Sequence, residues 1–208
     1  MQTIRERMQS IKIFDYLWWG ILLFGIFLRI YLYFRNRSLW QDEASLAMNL
    51  VHRSFGELTQ ALDYYQAAPI GFLFTEKFFI SIFGPYDYVM RIFPLLSGIL
   101  AIYFIYRFAQ AHLGSTGLFA LTISSVAWSL VYYSTELKQY SSDVLALSLM
   151  IFLAGNALKQ KAEAKDFFLL GIAGSLIIWI SHPSIFVLAG IGLALFFEKI
   201  TRKEYAPW

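Results

Sequence analysis

The chain has 208 residues, of which 58% are hydrophobic, 19% aromatic and only 15% charged, with a net charge of +3 and a mean hydropathy of +0.55. Soluble domains carry about a quarter charged residues, so this composition points to a membrane, and so small a net charge gives no footing for nucleic acid. There is no cysteine, which excludes disulfides and thiolate metal sites.

Several apolar runs reach the roughly 20 residues that a spanning helix needs. Such helices satisfy their own backbone hydrogen bonds, so the expected fold class is all-α, a polytopic transmembrane helix bundle. About six spans are expected, at 14–34, 89–106, 116–134, 143–158, 167–181 and 184–197. The first run is long and no small-residue cleavage site follows it, so it reads as an anchor, not a removed signal. No repeat, low-complexity tract or linker interrupts the chain, and 1–208 reads as a single transmembrane module.

Residues 69–83 decide the topology. The segment is apolar but only about 15 residues long, and Glu76 and Lys77 stand at its centre. One central charge costs at least roughly 2.5–3.5 kcal/mol on insertion scales, and here there are two. The segment is therefore expected to be an interfacial or re-entrant helix inside a long first external loop. With the N-terminus inside, Arg5, Arg7, Lys12, Arg107, Lys159, Lys161, Lys165, Lys199, Arg202 and Lys203 are cytoplasmic, ten of the 17 basic residues. If 69–83 crossed, the basic loops at 159–165 and 199–203 would both face outward, against the positive-inside rule.

That topology gathers the unusual polar residues on one side. Asp42 and Glu43 lie just past the first span, where acids either favour the positive end of a helix dipole or supply a general base to an acceptor hydroxyl. In the next external loop Glu136, Tyr140 and Asp143 fall at i, i+4 and i+7, so a helix would stack them on one face, with Tyr133 extending it. Ser142 or Asp143 could equally cap the fourth span. Arg29, inside the first span, either snorkels to the headgroups or presents its fork to a lipid phosphate. Lys138 and Arg91 are further candidates for that phosphate. His182, before Pro183 at the start of the sixth span, is either structural or a substrate contact.

LWQDEASLAMNLVHRSFGELTQALDYYQAAPIGFLFTEKFF, then RIFPLLSGILAIYFIYRFA, then YYSTELKQYSSDVLAL resembles the bacterial dolichyl-phosphate-mannose-protein mannosyltransferase-like proteins of glycosyltransferase family 39, over about residues 20–200. The resemblance implies a GT-C-like fold, with Asp42 at the family's catalytic acidic position, Glu43 beside it, and Asp143 at the second acidic position. It implies a polyprenyl-phosphate sugar donor, inversion at the transferred sugar and no nucleotide-sugar site. Two departures stand out. Many relatives carry a His-Pro-Pro-type motif where this chain has Ala67-Ala68-Pro69, and relatives continue through further helices, so the chain is expected to be an N-terminal portion, inactive by itself.

The expected function is a polyprenyl-phosphate-sugar-dependent hexosyltransferase in the bacterial inner membrane, multi-pass with its N-terminus cytoplasmic. Its catalytic residues would be Asp42, Glu43 and Asp143, and its substrate-binding residues Arg29, Glu136, Lys138, Tyr140 and His182. No metal ligand or cofactor is assigned, and a divalent cation is left open. The partners would be the lipid-linked donor, an unknown hydroxyl acceptor and membrane lipid, with no nucleic acid. The alternative is a non-catalytic transporter or lipid-binding subunit, which should place polar groups near the midplane and not at one surface.

The topology is directly testable because no native cysteine competes for label. Single cysteines at Ser45 and Ser141 should both react with an impermeant thiol reagent added outside intact cells, and one at Ala162 only after the membrane is opened. Labelling of Ser45 and Ser141 from opposite sides would show that 69–83 crosses.

Overall fold

Apolar sequence that must satisfy its own backbone groups folds as helix, and the computed structural model is 76% helical with no strand among the described residues. It describes the backbone of residues 2–204 and side chains from 15 to 201, so the side chains of Arg5, Arg7, Lys12, Arg202 and Lys203 lie outside the described residues. The elements are α1 (Gln2–Phe34), α2 (Gln41–His52), α3 (Ile70–Phe83), α4 (Ile92–His112), α5 (Gly117–Val126), α6 (Trp128–Tyr133), α7 (Tyr140–Ala157), α8 (Ala164–Ile177) and α9 (Ser184–Glu204). Single 3₁₀ turns stand at Glu57–Thr59, Val89–Arg91 and Gly114–Thr116.

Among the described residues four helices are long and apolar enough to cross a membrane: Asp15–Phe34, Val89–His112, Tyr140–Ala157 and Ser184–Thr201. The other two expected spans are shorter in the structure. The run at 116–134 is not one helix but α5 and α6, broken at Ala127, whose ψ of 115° leaves the helical region. Arg29 explains where α5 stops. Its Nη1 and Nη2 donate to the carbonyls of Ser125 (3.4 Å) and Ser124 (3.1 Å), carbonyls that a helix C-terminus leaves unpaired. The fifth expected span is α8, with 14 residues. At about 1.5 Å per residue it reaches roughly 21 Å, short of a hydrocarbon core of roughly 30 Å.

Three contacts show which connections share an end of the bundle. Arg91, just before α4, pairs with Glu43 near the start of α2. Lys138, between α6 and α7, pairs with Asp42. The Gly71 amide of α3 donates to the Trp179 carbonyl, just past α8, at 2.7 Å. Segments 35–91, 134–139 and 178–183 therefore meet at one end. Helix α3 does not cross, because the chain returns at Arg91 to the end where α1 left off.

The first loop has its own apolar core, in which Leu46, Leu50, Leu58, Phe72, Leu73, Ile80 and Met90 are buried together with Leu137 from the α6–α7 connection. Amphipathic α2 thus lies on apolar α3 and not in open solvent. The central charges of 69–83 behave differently from one another. Lys77 Nζ donates to the Leu50 carbonyl at 2.8 Å and to that of Val51 at 3.4 Å, capping the end of α2. Glu76 is fully buried with both carboxylate oxygens unpartnered, and burial drives its carboxyl well above the usual range. Below this cap, α4 packs along α7 and against α1 and α5, while α8 and α9 lean on α7. Trp18, Leu22, Ile102, Tyr106 and Leu121 form one apolar cluster of the bundle, and Ala146, Met150, Ala154, Leu170 and Ile177 the other.

Gly71 is where backbone meets backbone: a Cβ there would lie 2.6 Å from the Trp179 carbonyl oxygen. Gly71→Ala should cost about 1–3 kcal/mol through overpacking, more than the ~1 kcal/mol that alanine gains in helix propensity. The midpoint of thermal unfolding in detergent should fall. Gly20→Ala, at a position with nothing within 4 Å of the new Cβ, should leave it unchanged or raise it.

Candidate active site at the gathered loop end

Successive residues of a helix point about 100° apart, so Asp42 and Glu43 at the start of α2 cannot face the same way. Glu43 turns inward and is completely buried. Its Oε1 accepts from Arg91 Nε (3.2 Å), Arg91 Nη2 (3.1 Å) and the Leu137 amide (2.7 Å), and its Oε2 from Arg91 Nη2 (3.0 Å) and, at 3.4 Å, the Trp40 amide. Arg91, 1% exposed, also donates through Nη1 to the Arg37 carbonyl at 2.5 Å. The pair therefore ties the end of α1, the start of α2, the start of α4 and the α6–α7 connection into one block. Arg37 stacks over the Tyr132 ring at 4.2 Å, with its Nη2 3.7 Å from Glu43 and 3.9 Å from Glu136. Glu136, 1% exposed, accepts from Trp40 Nε1. Burial pushes the Glu136 carboxyl up, and the charge of Glu43 adds to this, while the Trp40 hydrogen bond opposes it.

Asp42 turns outward, its side chain 36% exposed. Lys138 Nζ lies 2.7 Å from its Oδ2, and Gln66 Nε2 donates to its Oδ1 at 2.8 Å. Lys138 closes the triangle by donating to Gln66 Oε1 at 2.6 Å. The Lys138 hydrogen bond, with that of Gln66 behind it, holds the Asp42 carboxyl below its usual range despite partial desolvation. Gln66 follows Tyr64 and Tyr65, whose φ values of 61° and 54° put two consecutive non-glycine residues in the left-handed region. That turn is pinned by Asn49, which accepts from the Asp63 amide at 2.8 Å, and by an Arg53–Asp63 pair at 2.8 Å.

A cleft of about 560 Å³ opens beside this triangle, within the roughly 300–1,000 Å³ typical of small-ligand sites. Gln66 stands at one edge and His182 at another, with Leu58, Leu62, Leu73 and Trp179 forming much of the wall between. Asp143 approaches from behind His182 and Ser181. Its Oδ1 and the Ser181 hydroxyl are buried next to one another, and Gln139 Oε1 is buried without a protein hydrogen-bond partner. The cleft itself offers the Gln66 amide, which is bonded to the Asp42–Lys138 pair, the His182 imidazole, and apolar surface.

The expected site residues divide accordingly. Asp42 and Lys138 come together, and Asp143 lies near His182, which lines the cleft. The shared helical face of Glu136, Tyr140 and Asp143 does not form. The Ser134 and Thr135 hydroxyls bond back to the carbonyls of Val131 and Tyr132, α6 ends there, and α7 starts only at Tyr140. Glu136 consequently faces Trp40, whereas Tyr140 packs its ring against Tyr133 at 4.7 Å between centroids. Neither Ser142 nor Asp143 caps α7 with its side chain. Arg29 is 2% exposed, its fork committed to the carbonyls of Gly25, Ser124 and Ser125. Gln66, Arg37 and Ser181 escaped the sequence reading. For Gln66 no local pattern could have revealed it, since its importance comes from partners 24 and 72 positions away.

The sequence profile of the family described as dolichyl-phosphate-mannose-protein mannosyltransferase matches residues 67–207, so Gln66, Asp42 and Glu43 precede the matched stretch, while Lys138, Asp143 and His182 lie inside it. No curated protein and no solved structure matches the chain. Among the described residues no group of three His, Asp or Glu side chains is placed to hold a metal ion.

Glu43→Gln keeps the shape but leaves the buried Arg91 charge uncompensated, a loss of about 3–5 kcal/mol for a broken buried pair. Thermal unfolding in detergent should show a large drop in midpoint, and protease should cut the 53–68 stretch faster. An unchanged midpoint would mean that the pair does not organise the loop end.

Proposed function

The chain belongs to the dolichyl-phosphate-mannose-protein mannosyltransferase family, and on that premise we propose that it transfers a sugar from a polyprenyl-phosphate donor to an acceptor hydroxyl, with inversion. Membership implies a membrane glycosyltransferase of the GT-C type, of mannosyltransferase kind, and the apolar helices make it an integral membrane protein. The loop end would face the non-cytoplasmic side of a bacterial inner membrane, with the N-terminus cytoplasmic. The positive-inside count supports that orientation.

The single observation that carries the reading is the Asp42–Lys138 pair, 2.7 Å apart and bonded on both sides to Gln66, which lines a cleft shared with His182. In the reaction, the acceptor oxygen forms a bond to the anomeric carbon as the bond from that carbon to the phosphate oxygen breaks. Asp42 takes the acceptor proton, and the lipid phosphate leaves with the bonding electrons. Asp42 is ionised at neutral pH, so no pKa shift is needed to start. Lys138 is the cation nearest the base and would neutralise charge on the departing phosphate. Asp143, Ser181 and His182 at the other edge supply hydrogen-bonding groups for sugar or acceptor hydroxyls. Glu43 acts through position, by fixing the start of α2. A transporter would carry its polar groups near the midplane, and their collection at one end supports the transferase reading.

In the full-length protein, Asp42→Asn should lower sugar transfer from a polyprenyl-phosphate donor by at least about 10², the low end for loss of a general base. The check is a radiolabelled-donor assay in membranes carrying each variant, with protein level measured by immunoblot. Turnover near that of the unchanged protein would rule Asp42 out as the base.

A further inference from the structure

The site as it stands has a contradiction in it. A general base needs a basic lone pair facing the acceptor, yet each Asp42 oxygen accepts a hydrogen bond, Oδ2 from Lys138 at 2.7 Å and Oδ1 from Gln66 at 2.8 Å, and these partners lower the basicity of the lone pairs left open. A cation that is to receive a phosphate likewise needs an open face, yet Lys138 is 5% exposed and turned onto Asp42 and Gln66. The two groups assigned to opposite ends of the reaction cancel one another.

The charge count shows how the conflict resolves. Asp42 and Lys138 form a neutral pair in which a single ammonium is shared between a carboxylate and an amide carbonyl. A lipid phosphate entering the cleft competes with Asp42 for that ammonium, with more acceptor oxygens on offer. If Lys138 moves to the phosphate, Oδ2 of Asp42 is released and its carboxylate becomes more basic, because the hydrogen bond that contributes most to lowering its pKa is gone. Gln66 is then the remaining partner. Its amide has one donor on Asp42 Oδ1 and its carbonyl on Lys138. The first contact survives the departure of the lysine, so the carboxylate keeps its place. Gln66 is itself well placed to do this: it follows the left-handed Tyr64–Tyr65 turn, anchored by Asn49 and Arg53, and it lines the cleft.

We infer that the Asp42–Lys138 pair is a resting latch opened by the donor's phosphate, and that Gln66 is the positioning residue that holds Asp42 once Lys138 has moved. The base is thereby unmasked only after donor has bound, and donor binds before acceptor. The latch rests on the polyprenyl-phosphate reading of the site.

The experiment measures binding of a polyprenyl monophosphate, the donor's lipid phosphate without its sugar, to the protein in phosphatidylcholine nanodiscs by native mass spectrometry. The latch requires shifts of opposite sign from substitutions on neighbouring atoms. Asp42→Asn removes the competitor for Lys138, so affinity should rise, by about 3- to 10-fold given what partly exposed ion pairs contribute. Gln66→Glu keeps the length but puts a second carboxylate on Lys138, so affinity should fall by a similar factor. In a Lys138→Gln background, adding Asp42→Asn should no longer raise affinity. Mere structural damage would weaken binding in every variant, so weaker or unchanged binding with Asp42→Asn overturns the latch while leaving the donor reading in place. Absence of any polyprenyl-phosphate binding by the unchanged protein overturns the donor reading, and the latch with it.

Discussion

The loop end of this protein depends on one buried ion pair, Glu43 with Arg91. Two charges removed from water are tolerated only when the remaining hydrogen-bonding capacity of both is filled. Here that filling is done by groups from separate stretches of chain: the Leu137 and Trp40 amides on Glu43, and the Arg37 carbonyl on Arg91. The requirement for satisfaction is what forces those stretches together. The same constraint keeps 69–83 from traversing the bundle, because Arg91 can reach Glu43 only if the chain has come back to the end it started from.

Asp42 gains its setting from its neighbour. With Glu43 facing inward, the turn of the helix directs Asp42 outward, toward Lys138, whose position is set by the adjacent Leu137 in the apolar core of the first loop. Arg37, Arg91 and Lys138 face Asp42, Glu43 and Glu136, three cations against three anions. The formal charges of the cluster balance, which suits partly dry surroundings, and a phosphate that takes Lys138 must displace Asp42.

Backbone crowding marks the same region. Tyr64 and Tyr65 hold positive φ without being glycine, and Gly71 touches the Trp179 carbonyl. These positions cost free energy in isolation and persist because the surrounding contacts over-determine them. Both serve the cleft, the first by delivering Gln66 to its edge and the second by holding its Trp179 wall against α3.

The sequence by itself determined the helical membrane class, the family, the failure of 69–83 to cross, and the gathering of Asp42, Glu43, Lys138, Asp143 and His182 at one end. The family follows from the resemblance of the LWQDEASL and ELKQYSSD stretches, and the rest from local apolar length, central charge and the distribution of Lys and Arg, all properties of a segment and its immediate neighbours. Tertiary structure alone decided the division of labour between Asp42 and Glu43, the commitment of Arg29 to the end of α5, the break at Ala127, and the place of Gln66. Each of these depends on a hydrogen bond or ion pair to a residue tens of positions distant. A repeat of 3.6 residues shows which face of a helix is apolar, but it carries no information about which distant donor will meet a given carboxylate.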